Sequence, residues 1–136
     1  MIKKIKKMIL LSCVLFIISL SGCLIYANSV SFSNRQIARY QGWNYVSGGV
    51  ADSSSYSYCD CILTKLDNDD NGVTFYACPN GKTWPSNGTV FTSTGVHKAV
   101  VYNNTTATAN QGVSVKYRSH DFNLTEGSVS GTLTFN

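Results

Sequence analysis

The chain has 136 residues, with 11 Lys and Arg against 7 Asp and Glu, for a formal charge of +4. Four of those cations (Lys3, Lys4, Lys6 and Lys7) stand at the extreme N-terminus, so the seven beyond residue 27 are matched by seven carboxylates. A near-neutral body offers no electrostatic basis for binding nucleic acid or for bulk attraction to an anionic membrane.

Residues 1–27 read as a signal peptide. The four lysines form its basic start, Met8 to Ile25 is almost wholly apolar, and the small residues Ala27 and Ser29 follow. Two processing sites compete. Ile25-Tyr26-Ala27 offers cleavage before Asn28, whereas Leu20-Ser21-Gly22-Cys23 resembles a lipobox that would leave a lipidated Cys23 at the mature N-terminus. Leu24 and Ile25 prolong the apolar run past the cysteine, which favours release. The expected location is therefore extracellular, with a lipid anchor at the cell surface as the alternative.

Residues 28–136 are enough for one domain with a modest core. Ser, Thr, Asn, Gly and Tyr dominate, and short alternating runs are punctuated by turn residues roughly every ten positions, the pattern of an all-β fold. A small antiparallel β-sandwich is the expectation. The one stretch that reads as helical is Asn34 to Gln41, with Asn34 as the cap of a short turn.

Gly42 to Tyr58 follows, carrying Trp43, Tyr45, Tyr56 and Tyr58 with a single charge at Asp52. Gly48 and Gly49 are expected to turn the chain between two short extended pieces. Aromatics without a titratable pair or ligand cluster point to a binding or packing surface rather than a catalytic one. Trp43 has two readings here, an exposed contact residue or part of the core.

Tyr58 to Leu66 and Val73 to Cys78 are the clearest strands. Ile62, Thr64 and Leu66 alternate on one face of the first, and Val73, Phe75 and Ala77 on one face of the second. Placing Leu66 opposite Val73 gives a hairpin that pairs Thr64 with Phe75, Ile62 with Ala77 and Cys61 with Cys78. Outside the cell a disulfide is the default. Cys61–Cys78 is the first expectation and Cys59–Cys78 the second, with a stabilisation of about 3 kcal/mol for a loop of this size. A redox Cys-x-Cys pair or a zinc site with His97 or His120 lacks the usual spacing and setting.

Asp67-Asn68-Asp69-Asp70-Asn71-Gly72 fits the opening of a calcium loop, which makes Asp67, Asp69 and Asn71 candidate calcium ligands. The acid expected at the twelfth position is replaced by Cys78, so a polar turn with Gly72 at positive φ is favoured and no cofactor is expected. Further strands are expected near Val90 and Phe91 and over Lys98 to Asn103. Two more, through Val113, Val115 and Tyr117 and through Val129, Leu133 and Phe135, are expected to lie side by side, antiparallel.

With these residues read, the chain resembles the lactococcin 972 family of Gram-positive bacteriocins. Trp43, Gly48-Gly49-Val50 and Ser54-Ser55-Tyr56-Ser57-Tyr58 look like the first block of that family. His97-Lys98-Ala99-Val100-Val101-Tyr102-Asn103-Asn104-Thr105 looks like the second, and Gly112-Val113 to Tyr117 with Asn123-Leu124-Thr125-Glu126 like the end. The stretch from Cys59 to Gly95 departs from the pattern, as does a C-terminus whose aromatic content is reduced to Phe135. The resemblance implies an exported β-sandwich that inhibits growth by binding an envelope component such as the cell-wall precursor lipid II. Candidate binding residues are Trp43, Tyr45, Tyr56, Tyr58 and His97. Two functions stand: a secreted bacteriocin-like binder, or a binding or adhesion module anchored at the surface through Cys23. Neither is an enzyme.

Overall fold

A computed structural model describes residues 29–51, 56–69, 71–103 and 105–136. The expected signal segment with Cys23, the stretch 52–55, Asp70 and Asn104 lie outside the described residues. Eight strands follow in order: β1 (Ser29–Ile37), β2 (Asn44–Val50), β3 (Tyr58–Asp67), β4 (Val73–Pro79), β5 (Thr89–Phe91), β6 (His97–Val101), β7 (Gly112–Ser119) and β8 (Gly127–Phe135). They form two antiparallel four-stranded sheets, β1-β8-β3-β6 and β2-β7-β4-β5, packed as a β-sandwich. The expected fold class holds.

Alternation decides which side of each strand is buried. On β7, Val113, Val115 and Tyr117 enter the core, so Ser114, Lys116 and Arg118 face outward. On β3, Cys59, Cys61 and Leu63 enter the core, which turns Tyr58, Asp60 and Ile62 to the opposite outer face. Phe75 sits amid the interior aromatics. Its ring stacks on Tyr117 at 5.3 Å, meets Phe91 edge-on at 5.5 Å and lies 5.9 Å from Phe32. Offset and edge-on packing of this kind adds to the burial of the rings themselves.

The spans of β3 to β8 lie close to the sequence reading, but β1 was not expected and the partners differ. β3 and β4 are not a hairpin: they lie in different sheets. Phe75 pairs with Tyr117 and Thr89, Ala77 with Val115, and Cys78 with Ser114, whereas Cys61 pairs with Lys98 and Leu133. The turn between the strands lifts the chain across the sandwich. The buried Asn68 amide donates to the Gly72 carbonyl at 2.5 Å and to Ser119 Oγ at 2.9 Å, with Gly72 at φ 67°. Likewise β7 and β8 are not neighbours; each is central in its own sheet. Among the described strands, only β4 and β5 are consecutive and paired.

Two local expectations are corrected. Asn34 does not cap a helix; it takes φ 45° in a bulge where the register of β1 shifts between Phe32 and Arg35, and its N–H donates to Ser130 Oγ. Asparagine tolerates this left-handed geometry, and the local bend is what a bulge produces. The only helical feature in that stretch is a single 3-10 turn, Arg39–Gln41. Gly48 and Gly49 do not turn the chain either. β2 runs through them with a bulge between Val46 and Gly49, and a Cβ on Gly49 would strike the buried Phe135 ring. Close approach, not a turn, is the requirement there.

Candidate functional site: a cation–aromatic face

The outer face of the β2-β7-β4-β5 sheet carries the most distinctive arrangement of side chains. Lys116 and Arg118 project from β7, opposite Tyr76 and Thr74 of β4 in the ladder. Trp43, just ahead of β2, meets Tyr76 edge-on at 5.0 Å. Lys116 Nζ lies 4.1 Å from the Trp43 ring centre and 4.3 Å from that of Trp84, so two indoles flank one ammonium. The Arg118 guanidinium lies 4.6 Å from the Trp43 ring and 5.8 Å from Tyr76, and it donates to the Tyr76 hydroxyl at 3.4 Å. These are cation–π distances, each contact stabilising by about 0.5–1 kcal/mol at exposed sites.

Among the described residues, no carboxylate pairs with either cation. Among the described residues the one ion pair is Arg39–Glu126, at 3.6 Å. Beside Arg118 the face dips into a groove of about 300 Å³ lined by Thr74, Tyr76, Asn87, Gly88, Arg118 and His120, among others. The Thr74 hydroxyl and His120 Nδ1 hydrogen-bond at 3.0 Å. A second groove, about 330 Å³, lies on the far side of the 85–89 loop against Val101, Tyr102 and Asn103. The first groove offers a guanidinium, an imidazole, a hydroxyl and an amide, a donor set suited to an anion. The neighbouring indoles offer flat apolar faces for a ring such as a sugar.

The sequence-derived candidates divide between two faces. Trp43, 43% exposed, and Tyr45, 65% exposed, belong to this cation-bearing surface. The core reading of Trp43 therefore falls. Tyr56 and Tyr58 pair edge-on at 5.5 Å on the opposite sheet, where Tyr58 is matched with Val101, and the exposed His97 stands on the same outer face of that sheet. The expected single aromatic surface is two surfaces. Tyr76, Trp84, Lys116, Arg118 and His120 were missed as site residues. The alternation Val113-Ser114-Val115-Lys116-Tyr117-Arg118 already marks the outward stripe, but nothing local to it announces that β4 lies alongside.

The cysteines also differ from expectation. Cys59, Cys61 and Cys78 are buried free thiols, and no disulfide occurs among the described residues. Cys61–Cys78 and Cys59–Cys78 both relied on the β3–β4 hairpin. Cys59 and Cys61 instead enter the core from one sheet, while Cys78 lies on the outer side of the other, its thiol donating to the Lys82 carbonyl at 3.2 Å. Burial pushes the Cys59 thiol up strongly, with Cys61 and Asp60 adding to the effect, and it pushes Cys61 up to about 12. Burial also raises Cys78, against an opposing pull from Lys116.

Of the calcium candidates, Asp69 accepts a hydrogen bond from the Thr125 hydroxyl, and the Asn71 N–H donates to the Asn68 carbonyl. Among the described residues no group of three or more His, Cys, Asp or Glu is placed to hold a metal ion. No protein-family model, curated protein or solved structure matches the chain.

Proposed function

We propose that the chain is a secreted bacteriocin-like protein that binds an anionic component of the envelope of related Gram-positive bacteria. Binding is assigned to the outer face of the β2-β7-β4-β5 sheet. The observation that carries this reading is the setting of Lys116 and Arg118, held over Trp43, Trp84 and Tyr76 without a carboxylate partner among the described residues. Cations kept free of acids in a solvent-open aromatic setting are prepared for an external anion, and tryptophan, tyrosine and arginine dominate binding hot spots. Lipid II, the target implied by the lactococcin 972 resemblance, presents a diphosphate beside sugar rings and has both features the face would recognise. The action is binding, without catalysis, and export rests on the basic and apolar segment at residues 1–27.

The test compares residues 28–136 with Trp43→Ala and with Lys116→Gln/Arg118→Gln. Growth inhibition of related Gram-positive strains and calorimetric binding to micellar lipid II are the readouts. Loss of both in the variants, with each variant still folded at the assay temperature, supports the reading. A wild-type protein that never inhibits growth and binds neither lipid II nor whole cells removes it. Recovery of the protein acylated at Cys23 in the membrane fraction would replace secretion with surface anchoring.

A further inference from the structure

His120 follows directly on β7 and continues the outward stripe of Ser114, Lys116 and Arg118. Thr74 and Arg118 are direct partners in the β4–β7 ladder, so their side chains lie side by side on the outer face. His120 Nδ1 meets the Thr74 hydroxyl at 3.0 Å, and all three residues line the same groove with Tyr76 and Asn87. The opposite wall is tight: a Cβ on Gly88 would strike Thr74 and Tyr76. The backbone of His120 is fixed on both sides. Its N–H donates to the Gly72 carbonyl at 3.2 Å, and its carbonyl accepts from Gln41 Nε2 at 2.7 Å. The residue is held in place while remaining exposed to solvent.

The Thr74–His120 bond changes character with one proton. On a neutral ring, Nδ1 either accepts from the hydroxyl or donates to it, according to the tautomer. On an imidazolium both ring nitrogens are donors, so the Thr74 oxygen can only accept from the ring and its own proton is released. Thr74 is 5% exposed and lines the groove, so that proton is offered there rather than to bulk water. The protonated groove therefore presents a guanidinium, an imidazolium and a hydroxyl donor together, a set suited to a tetrahedral dianion. An ordinary histidine makes this change between about pH 5 and 8.

We propose that this groove is the seat of the anion on the cation–aromatic face, and that protonation of His120 tightens it around a phosphate- or sulfate-like dianion. The proposal rests on the reading of that face as an anion binder; it adds where the charge sits and what regulates its capture. The charges around His120 leave the groove itself positive. From β7 it faces Arg118, and from β4 the phenol of Tyr76. Among the described residues none that lines the groove is acidic. Asp121 follows His120 in the chain. The turn that meets it through Gly72 contains Asp69, which accepts from the Thr125 hydroxyl, with Asp70 beside it in sequence. The turn that meets it through Gln41 contributes Arg39, paired with Glu126.

Sulfate is the probe, because it keeps its double charge across this range whereas phosphate does not. Residues 28–136, which include every described strand and the whole core, are titrated at constant ionic strength at about pH 8 and about pH 5.5. Carboxylates and lysines hold their charge between these values. Binding is expected to tighten by about fivefold or more at the lower pH, and the ring signals of His120 should move with sulfate while those of His97, on the other sheet, stay still. His120→Gln keeps a side-chain hydrogen bond without the charge: it should retain the affinity at the higher pH and lose the gain at the lower. Arg118→Gln should weaken binding at both by about tenfold. A merely structural His120 would instead lower affinity equally at both pH values. Sulfate affinity that ignores pH, or a gain that survives His120→Gln, overturns the proposal even where lipid II still binds. Absence of sulfate binding at either pH overturns the groove as the seat of the anion. Loss of lipid II binding alongside a His120-dependent sulfate gain removes the choice of target and leaves this groove standing.

Discussion

Cys59 and Cys61 present their thiols to the interior from adjacent core-facing positions of β3, and burial makes both reluctant to ionise. The thiolate is the reactive form, so neither should react in the folded protein. Iodoacetamide at about pH 8 is expected to leave both unmodified until denaturant is added; rapid native labelling would contradict their placement. A pH dependence follows. The folded protein holds the Cys61 proton more tightly than an ordinary cysteine of pKa 9.0, and its own value is about 12. The associated stabilisation is complete below pH 9.0 and is lost as pH rises toward about 12, which denaturant melts across that range would record. Trp43 answers a different question at this scale. Its removal forfeits an edge-on ring contact and two cation–π contacts, together about 1.5–3.5 kcal/mol. A core tryptophan would cost about 3–5 kcal/mol. Trp43→Ala should therefore lower the thermal melt by less than the loss of a core tryptophan would. The sequence left Trp43 open between these readings because a strand-edge aromatic beside glycine fits either face, and only the pairing of β2 with β7 decides.

Strands were legible as elements because period-two burial writes itself into residues such as Val113, Val115 and Tyr117. Their partners were not. Val73, Phe75 and Ala77 need an apolar surface opposite them, and that need is met equally by a hairpin neighbour in the sheet or by a facing sheet. Asn68-Asp69-Asp70-Asn71-Gly72 looks like a hairpin turn, yet Asn68 spends its amide on Gly72 and Ser119 and carries the chain to the other sheet. The Gly48-Gly49 pair misled for a similar reason, since glycine serves close approach as readily as a turn. Two substitutions test this level. Phe75→Ala should cost about 3–5 kcal/mol in denaturant melts, because the ring meets three other aromatics. Gly49→Ala should cost about 1–3 kcal/mol by forcing Phe135 aside. If Gly49→Ala proved neutral or stabilising, the close packing of β2 against Phe135 would be wrong.

Across the whole molecule, the two sheets give two different outward faces. One carries Trp43, Tyr76, Trp84, Lys116 and Arg118, the other Tyr56, Tyr58, Val101 and His97. Of the cation-bearing face, only Trp43 and Tyr45 were visible as aromatics in the 42–58 stretch. The cations were not, because Lys116 and Arg118 lie some seventy positions further along and reach Trp43 only through the β2–β7 pairing. The neutral composition beyond residue 27 concealed them further: seven acids balance seven bases in the sum, but among the described residues none pairs with these two. The face, rather than the net charge, is what an anionic ligand would meet. Nuclear magnetic resonance of isotope-labelled residues 28–136, titrated with lipid II in micelles, tests this most directly. The indole N–H signals of Trp43 and Trp84 and the amides of Tyr76, Lys116 and Arg118 are expected to shift together while those of Tyr56, Tyr58 and His97 stay still. Shifts confined to the Tyr56–Tyr58–His97 face, or none at all, would contradict the assignment.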